Sequence, residues 1–235
     1  GTRNVIMGVK KHDIARLIYV GSANAFSRAN GEIATEGNDY EAHVYGLDYM
    51  DSKKEAQDIV LWEARENNLP ALVVNPTFML GAYDSGPSSG AMILAVNKGK
   101  IPGYTSGGKN YIYVKDAASA IANAIEKGRN GECYILGNEN LTYKEAFEKM
   151  AEVIGKKAPG REISDSLVCL YGKLNSTLAS IFRFKPGVTA ELARISCDTH
   201  YYDSAKARQE LDLPSTPLEV AIDECYNWFK DNGYA

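Results

Sequence analysis

The chain has 235 residues, 45% hydrophobic and 24% charged, with 26 Lys plus Arg against 30 Asp plus Glu for a formal net charge of −4. This is enough chain to bury a core without metal or disulfide staples, and its mild acidity, with no dense Lys/Arg cluster, argues against nucleic acid as the main partner. No apolar run approaches a membrane span, and the N-terminus lacks a basic segment followed by an apolar one, so a cytoplasmic location is expected, away from membranes. Cys133, Cys169, Cys197 and Cys225 lie far apart with no Cys-x-x-Cys spacing, which predicts neither a zinc site nor a disulfide framework.

In chain order, residues 2–11 carry Val5, Ile6 and Val9 at helical spacing and end in Lys10, Lys11 and His12, cations that suit a helix C-terminus. Arg16–Ser22 is a short apolar run without alternation, as in a parallel strand buried on both faces. A polar stretch with Gly31, Gly37, Asn38 and Asp39 reads as a surface loop near a site. From about Asp48 to Asn68 the pattern is that of a long amphipathic helix, ended by Pro70, and Ala71–Asn75 is a second buried strand closed by Pro76. Strand, helix and returning strand make a βαβ unit, so the fold class is α/β with at least partly parallel pairing.

Beyond Gly81 the sequence predicts a helix over Ala91–Val96 in a lobe outside the sheet, a strand at Tyr111–Val114 and a helix from Asp116, with Asp116 as its N-cap. A strand at Glu132–Leu136 follows, then a helix opened by Thr142 with Glu145 three residues on, a capping box. The remaining helices are expected near Ser164–Ile181, Thr189–Ile195, Ser204–Leu211 and Pro217–Lys230.

The candidate chemistry centres on Tyr49-Met-Asp-Ser-Lys53 at the start of the long helix, downstream of Ser22 at the end of a strand. At i and i+4 the phenol and the ammonium share a helical face. A free Tyr is a poor acid or base at neutral pH, and a neighbouring cation such as Lys53 favours the phenolate. Ser22, at the C-terminal end of a parallel strand where α/β proteins place ligands, could hold a substrate carbonyl while Tyr49 gives or takes the proton. Alone, Tyr-x-x-x-Lys is a common spacing; its weight comes from its context.

That context is strand ending in Gly-Ser, polar loop, Tyr-x-x-x-Lys helix, then Asn75-Pro-Thr-Phe-Met-Leu-Gly81. Over nearly its whole length the chain resembles the extended short-chain dehydrogenase/reductase family, which includes NAD-dependent epimerases and dehydratases, and most of all its dihydroflavonol-reductase-like members. Gly108-Lys-Asn-Tyr-Ile-Tyr-Val-Lys-Asp116 is similar to the strand-to-helix element that opens the family's substrate lobe. The resemblance implies the C-terminal part of a Rossmann-type parallel sheet plus a small, mostly helical substrate lobe. Residues 1–81 would form a partial Rossmann domain, and 82–235 the remaining Rossmann elements interleaved with the lobe. It implies catalytic roles for Ser22, Tyr49 and Lys53, and contact of Tyr49, Lys53, Pro76, Thr77 and Met79 with NAD or NADP, the hydride carrier.

Two departures stand out. Gly21 takes a place where many relatives carry a second hydroxyl. No Gly-rich turn after a first strand is present to bind the pyrophosphate; Gly103–Gly108 and Gly128–Gly131 read as ordinary loops. The chain is therefore expected to be N-terminally truncated, with the phosphate-binding half of the cofactor site outside it, weak binding of NAD(P)H, and an exposed apolar sheet edge along Arg16–Ser22.

Tyr83, Tyr104 and Tyr111 are weaker candidates for a substrate pocket, and Asp84 reads as a loop cap. His12, His43 and His200 are isolated and read as exposed or helix-end residues, with no metal implied. The leading expectation is an NAD(P)-dependent reductase of a ketone or aldehyde. The alternatives are a nucleotide-sugar epimerase or dehydratase, and a non-catalytic binding module or inactive fragment. The partners are then a small carbonyl or hydroxyl substrate or a nucleotide-sugar, with a homodimer possible through the Tyr49 helix, as is common in proteins that this one resembles.

Overall fold

A computed structural model describes residues 1–26, 31–182 and 188–235. Helix α1 (Thr2–Lys11) leads into β1 (Leu17–Val20), two short 3-10 turns at Ala23–Phe26 and Ala42–Tyr45, and the long helix α2 (Asp48–Glu66). The chain then makes β2 (Ala71–Pro76), β3 (Phe78–Leu80), α3 (Ala91–Asn97), β4 (Gly108–Tyr113), α4 (Val114–Lys127), β5 (Cys133–Leu136) and β6 (Glu139–Thr142). It closes with α5 (Tyr143–Val153), α6 (Asp165–Phe182), α7 (Ala190–Ser196), β7 (Thr199–His200), α8 (Ala205–Leu211) and α9 (Leu218–Asp231).

The strands form two sheets. The first is wholly parallel, ordered β1-β2-β5, with Leu17 opposite Ala71 and Val73 opposite Cys133. The central β2 is buried along its whole length, which is why its apolar run lacks alternation. Helices α1 and α2 cover one face through Ile6, Val9, Val60 and Ala64. Helices α4 and α8 cover the other, through Ala117, Ala120, Ala124, Ala207 and Leu211 packed on Leu72, Val74 and Tyr134. Strand β1 departs from the reading of a strand buried on both faces: among the described residues it pairs with β2 alone, three of its residues are half-buried and Val20 is exposed.

The second sheet adds short strands to a lobe that is mostly helical, as expected. Short strands β3, β6 and β7 gather around β4, β3 and β7 in parallel and β6 antiparallel. Its core joins Leu80, Tyr111, Phe147, Met150, Ile222 and Phe229. The capping box at Thr142 and Glu145 is formed in both directions. Asp116 is not an N-cap: Tyr113 holds that place, and the buried Asp116 carboxylate accepts bonds from the backbone N–H and hydroxyl of Thr216, tying α4 to the turn before α9. Asp84 does cap a loop, accepting from the N–H groups of Ser88 and Gly90.

Candidate active site

The two sheets meet where β2 leaves the first and, through Thr77, becomes β3 of the second. A cavity of about 190 Å³ opens there. One side is made by the C-terminal ends of β1 and β2 and the first turn of α2, with Ser22, Asn24, Tyr49, Met50, Pro76 and Thr77 in its wall. The other side comes from β4, the end of α7 and β7, through Lys109, Asn110, Ile195 and His200.

Ser22 lies just past β1, where the chain turns at once into a 3-10 turn whose Asn24 N–H donates to Ser22 Oγ at 3.3 Å. Among the described residues, no acceptor takes the proton of this hydroxyl. The Ser22 carbonyl accepts from Asn75 Nδ2 at 2.9 Å, and the same amide group donates to Gln57 Oε1 at 2.6 Å. Gln57 and Asn75 are both buried, and Gln57 lies one turn beyond Lys53 on α2. A buried strut thus runs from the helix that carries Tyr49 and Lys53 to the backbone of Ser22. Gly21 belongs to this strut, since a Cβ there would stand 2.8 Å from Asn75 Nδ2. The space that a side chain would fill is taken by the amide.

Tyr49 is exposed on the first turn of α2, and Lys53 Nζ lies 5.8 Å from the centroid of its ring, the proximity that the i, i+4 spacing predicts. Lys53 stands behind Tyr49 and outside the immediate cavity wall. Thr77 donates its hydroxyl to Asn110 Oδ1 at 2.8 Å, which ties the two sides of the cavity together.

Four proposed residues lie elsewhere. Met79 and Tyr83 line a separate shallow cleft with Ser88 and Val114, and Tyr83 is 80% exposed with a left-handed φ of 69°. Tyr111 is wholly buried in the core of the second sheet, where burial raises its phenol pKa well above the usual value. It lines no cavity described here. Tyr104 lines an apolar cleft next to the main cavity.

Residues that spacing did not single out complete the site. His200 corrects the reading of an exposed histidine: it is buried, its ring 5.6 Å from that of Tyr45. Burial and the nearby Lys109 charge push its pKa down to about 4, so it is neutral at pH 7. Lys109 pairs with His200 across the β4–β7 ladder. Its ammonium sits 4.7 Å from the ring centroid of Phe78, and burial lowers its pKa. His12 caps α1 and His43 is exposed, as read.

Residues 1–137 match the model of the "NAD dependent epimerase/dehydratase family". The chain belongs to this family. Members are NAD-dependent oxidoreductases, epimerases and dehydratases. A Synechocystis protein named "Putative dihydroflavonol 4-reductase" is 29% identical over the whole of this chain and 70% of its own length. Among solved structures, gox2253 is 32% identical with a TM-score of 0.85, the match covering 99% of this chain and 71% of that one. PA4631, a nucleoside-diphosphate-sugar epimerase from Pseudomonas aeruginosa, is 29% identical with a TM-score of 0.79, over 97% and 71% respectively.

The residues present fit the nicotinamide-riboside end of the family's cofactor. A phenol and a hydroxyl line one cavity at the C-terminal edge of a parallel sheet, with the Pro76–Thr77 segment in the same wall and the Lys53 ammonium next to the phenol. Among the described residues, no parallel strand of the first sheet runs through a Gly-rich turn into a helix, so nothing described fits the pyrophosphate.

Proposed function

We propose that the chain carries the acid/base site of an NAD(P)-dependent reductase of a ketone or aldehyde. The observation that supports this most is the convergence of Ser22 and Tyr49 on one cavity, with Lys53 one turn behind Tyr49. In this reading the Ser22 hydroxyl donates to the substrate carbonyl oxygen and polarises it. Tyr49 delivers the proton to the same oxygen as it becomes an alkoxide, or removes it in the reverse direction. Lys53 stabilises the phenolate left on Tyr49 and would hold the nicotinamide ribose hydroxyls. The nicotinamide supplies or accepts the hydride. The Gln57–Asn75 strut keeps Ser22 in register with the helix that bears the other two.

The test is turnover of a carbonyl panel followed by nicotinamide absorbance. Tyr49→Phe should lower kcat by roughly 10²- to 10⁴-fold, the usual share of a positioned proton donor, with an unchanged melting temperature because the side chain is exposed. Turnover of Tyr49→Phe at the wild-type rate would refute the role. The likeness to PA4631 favours a second reading, nucleotide-sugar epimerisation. Inversion of a nucleotide-sugar without net change in absorbance would establish it instead.

A further inference from the structure

The main cavity shares Phe78 and Lys109 with a neighbouring cleft of about 380 Å³, lined by Met92, Tyr104, Tyr143 and Phe147. The cleft is within the size range of small-molecule sites, whereas the cavity at Ser22, at about 190 Å³, has room for little more than a reacting head group. Its lining is almost wholly apolar or aromatic, and the hydroxyl of Thr105 at its edge already donates to the Ser196 carbonyl. Among the described residues, one cation lines both spaces. Lys109 is half-buried and has no carboxylate within ion-pair distance among the described residues, and its cross-strand neighbour His200 is neutral. A half-buried ammonium without a counter-charge is costly, and that cost is offset when a ligand brings an anion.

We infer that the substrate is an oxo acid with an apolar tail, its carboxylate on Lys109, its carbonyl at Ser22 and Tyr49, and its alkyl or aryl tail in the cleft beside Phe78, Tyr104 and Phe147. This rests on the reductase reading for the carbonyl alone; the carboxylate and tail are assigned from Lys109 and the cleft. Among the described residues the shared lining offers one cation, which matches a single carboxylate, whereas a diphosphate would bring at least two charges to the same ammonium. Each part has its place: the anion fixes the head group, the tail supplies apolar burial, and the carbonyl lies within a few bonds of the carboxylate because Ser22, Tyr49 and Lys109 face one another across a single cavity of about 190 Å³.

The test needs no turnover. Octanoate, octanamide, acetate and UDP are titrated calorimetrically into the 235-residue chain at fixed ionic strength. Octanoate should bind at least about tenfold more tightly than octanamide, which lacks the charge, and than acetate, which lacks the tail. Lys109→Gln should abolish the preference for octanoate over octanamide, and Lys109→Arg should keep it. Equal binding of octanoate and octanamide to the wild-type chain, an undiminished preference in Lys109→Gln, no octanoate binding, or tighter binding of UDP than of octanoate would each overturn the inference. The wild-type series decides even where Lys109→Gln melts early. Tyr49→Phe should bind octanoate as the wild type does, so an octanoate preference alongside wild-type turnover of Tyr49→Phe would refute the reductase reading and leave this one standing.

Discussion

The two sides of the cavity are built in different ways. The Ser22–Tyr49 side comes from adjoining elements, a strand end and the first turn of the helix that follows it, backed by the fully buried β2. The Lys109–His200 side comes from residues far apart in the chain, brought together by a two-residue strand pairing with β4. The first kind of wall holds its groups by local geometry and can present an exposed group such as Tyr49. The second depends on long-range pairing and buries its titratable group. In the proposed reading, chemistry and recognition are divided between a locally encoded wall and a tertiary one.

This difference can be sharpened by acid. With a folded pKa of about 4 against an ordinary value near ~6.5, buried His200 binds fewer protons in the native state than in the unfolded one below pH 6.5. Its contribution is therefore present above about pH 6.5 and lost as the pH falls towards 4, by up to about 3 kcal/mol. His200→Gln should flatten the fall in melting temperature over that window. A variant whose acid profile overlays the wild type would place His200 outside this account.

The next effect concerns the strut. Gln57→Leu removes the acceptor of one Asn75 amide proton in a buried setting, which should cost about 1–3 kcal/mol in chemical denaturation. It should also lower kcat, because Ser22 loses its brace to α2. Lost stability with full kcat would make the strut structural only. The smallest effect is at the edge of the second sheet: Thr142→Ala removes a reciprocal capping box and should destabilise by about 1 kcal/mol without touching either wall's chemistry.

The same division explains what could be read from the sequence. The β1–α2–β2 unit, the Tyr49–Lys53 pair and the capping box follow from local patterns, namely an apolar run, an i, i+4 spacing and a Thr-x-x-Glu signature. Strands β3, β6 and β7 did not follow, because two to four residues carry no usable alternation and exist only by pairing with β4. His200 and Lys109 were missed for that reason: the only signal that joins them is a ladder register. Asp116 looked like a cap because its partner, Thr216, is remote in sequence. Tyr111 looked like a pocket residue because a strand's two faces cannot be told apart until the sheet's packing is known.

The central claim, that one wall performs the chemistry and the other recognises the substrate, is tested most directly by steady-state kinetics of Ser22→Ala and Lys109→Gln measured side by side on one oxo acid. The account predicts that Ser22→Ala lowers kcat by roughly 10²-fold or more with KM nearly constant, while Lys109→Gln raises KM with kcat largely kept. The reverse pattern, or the same loss from both, would contradict it.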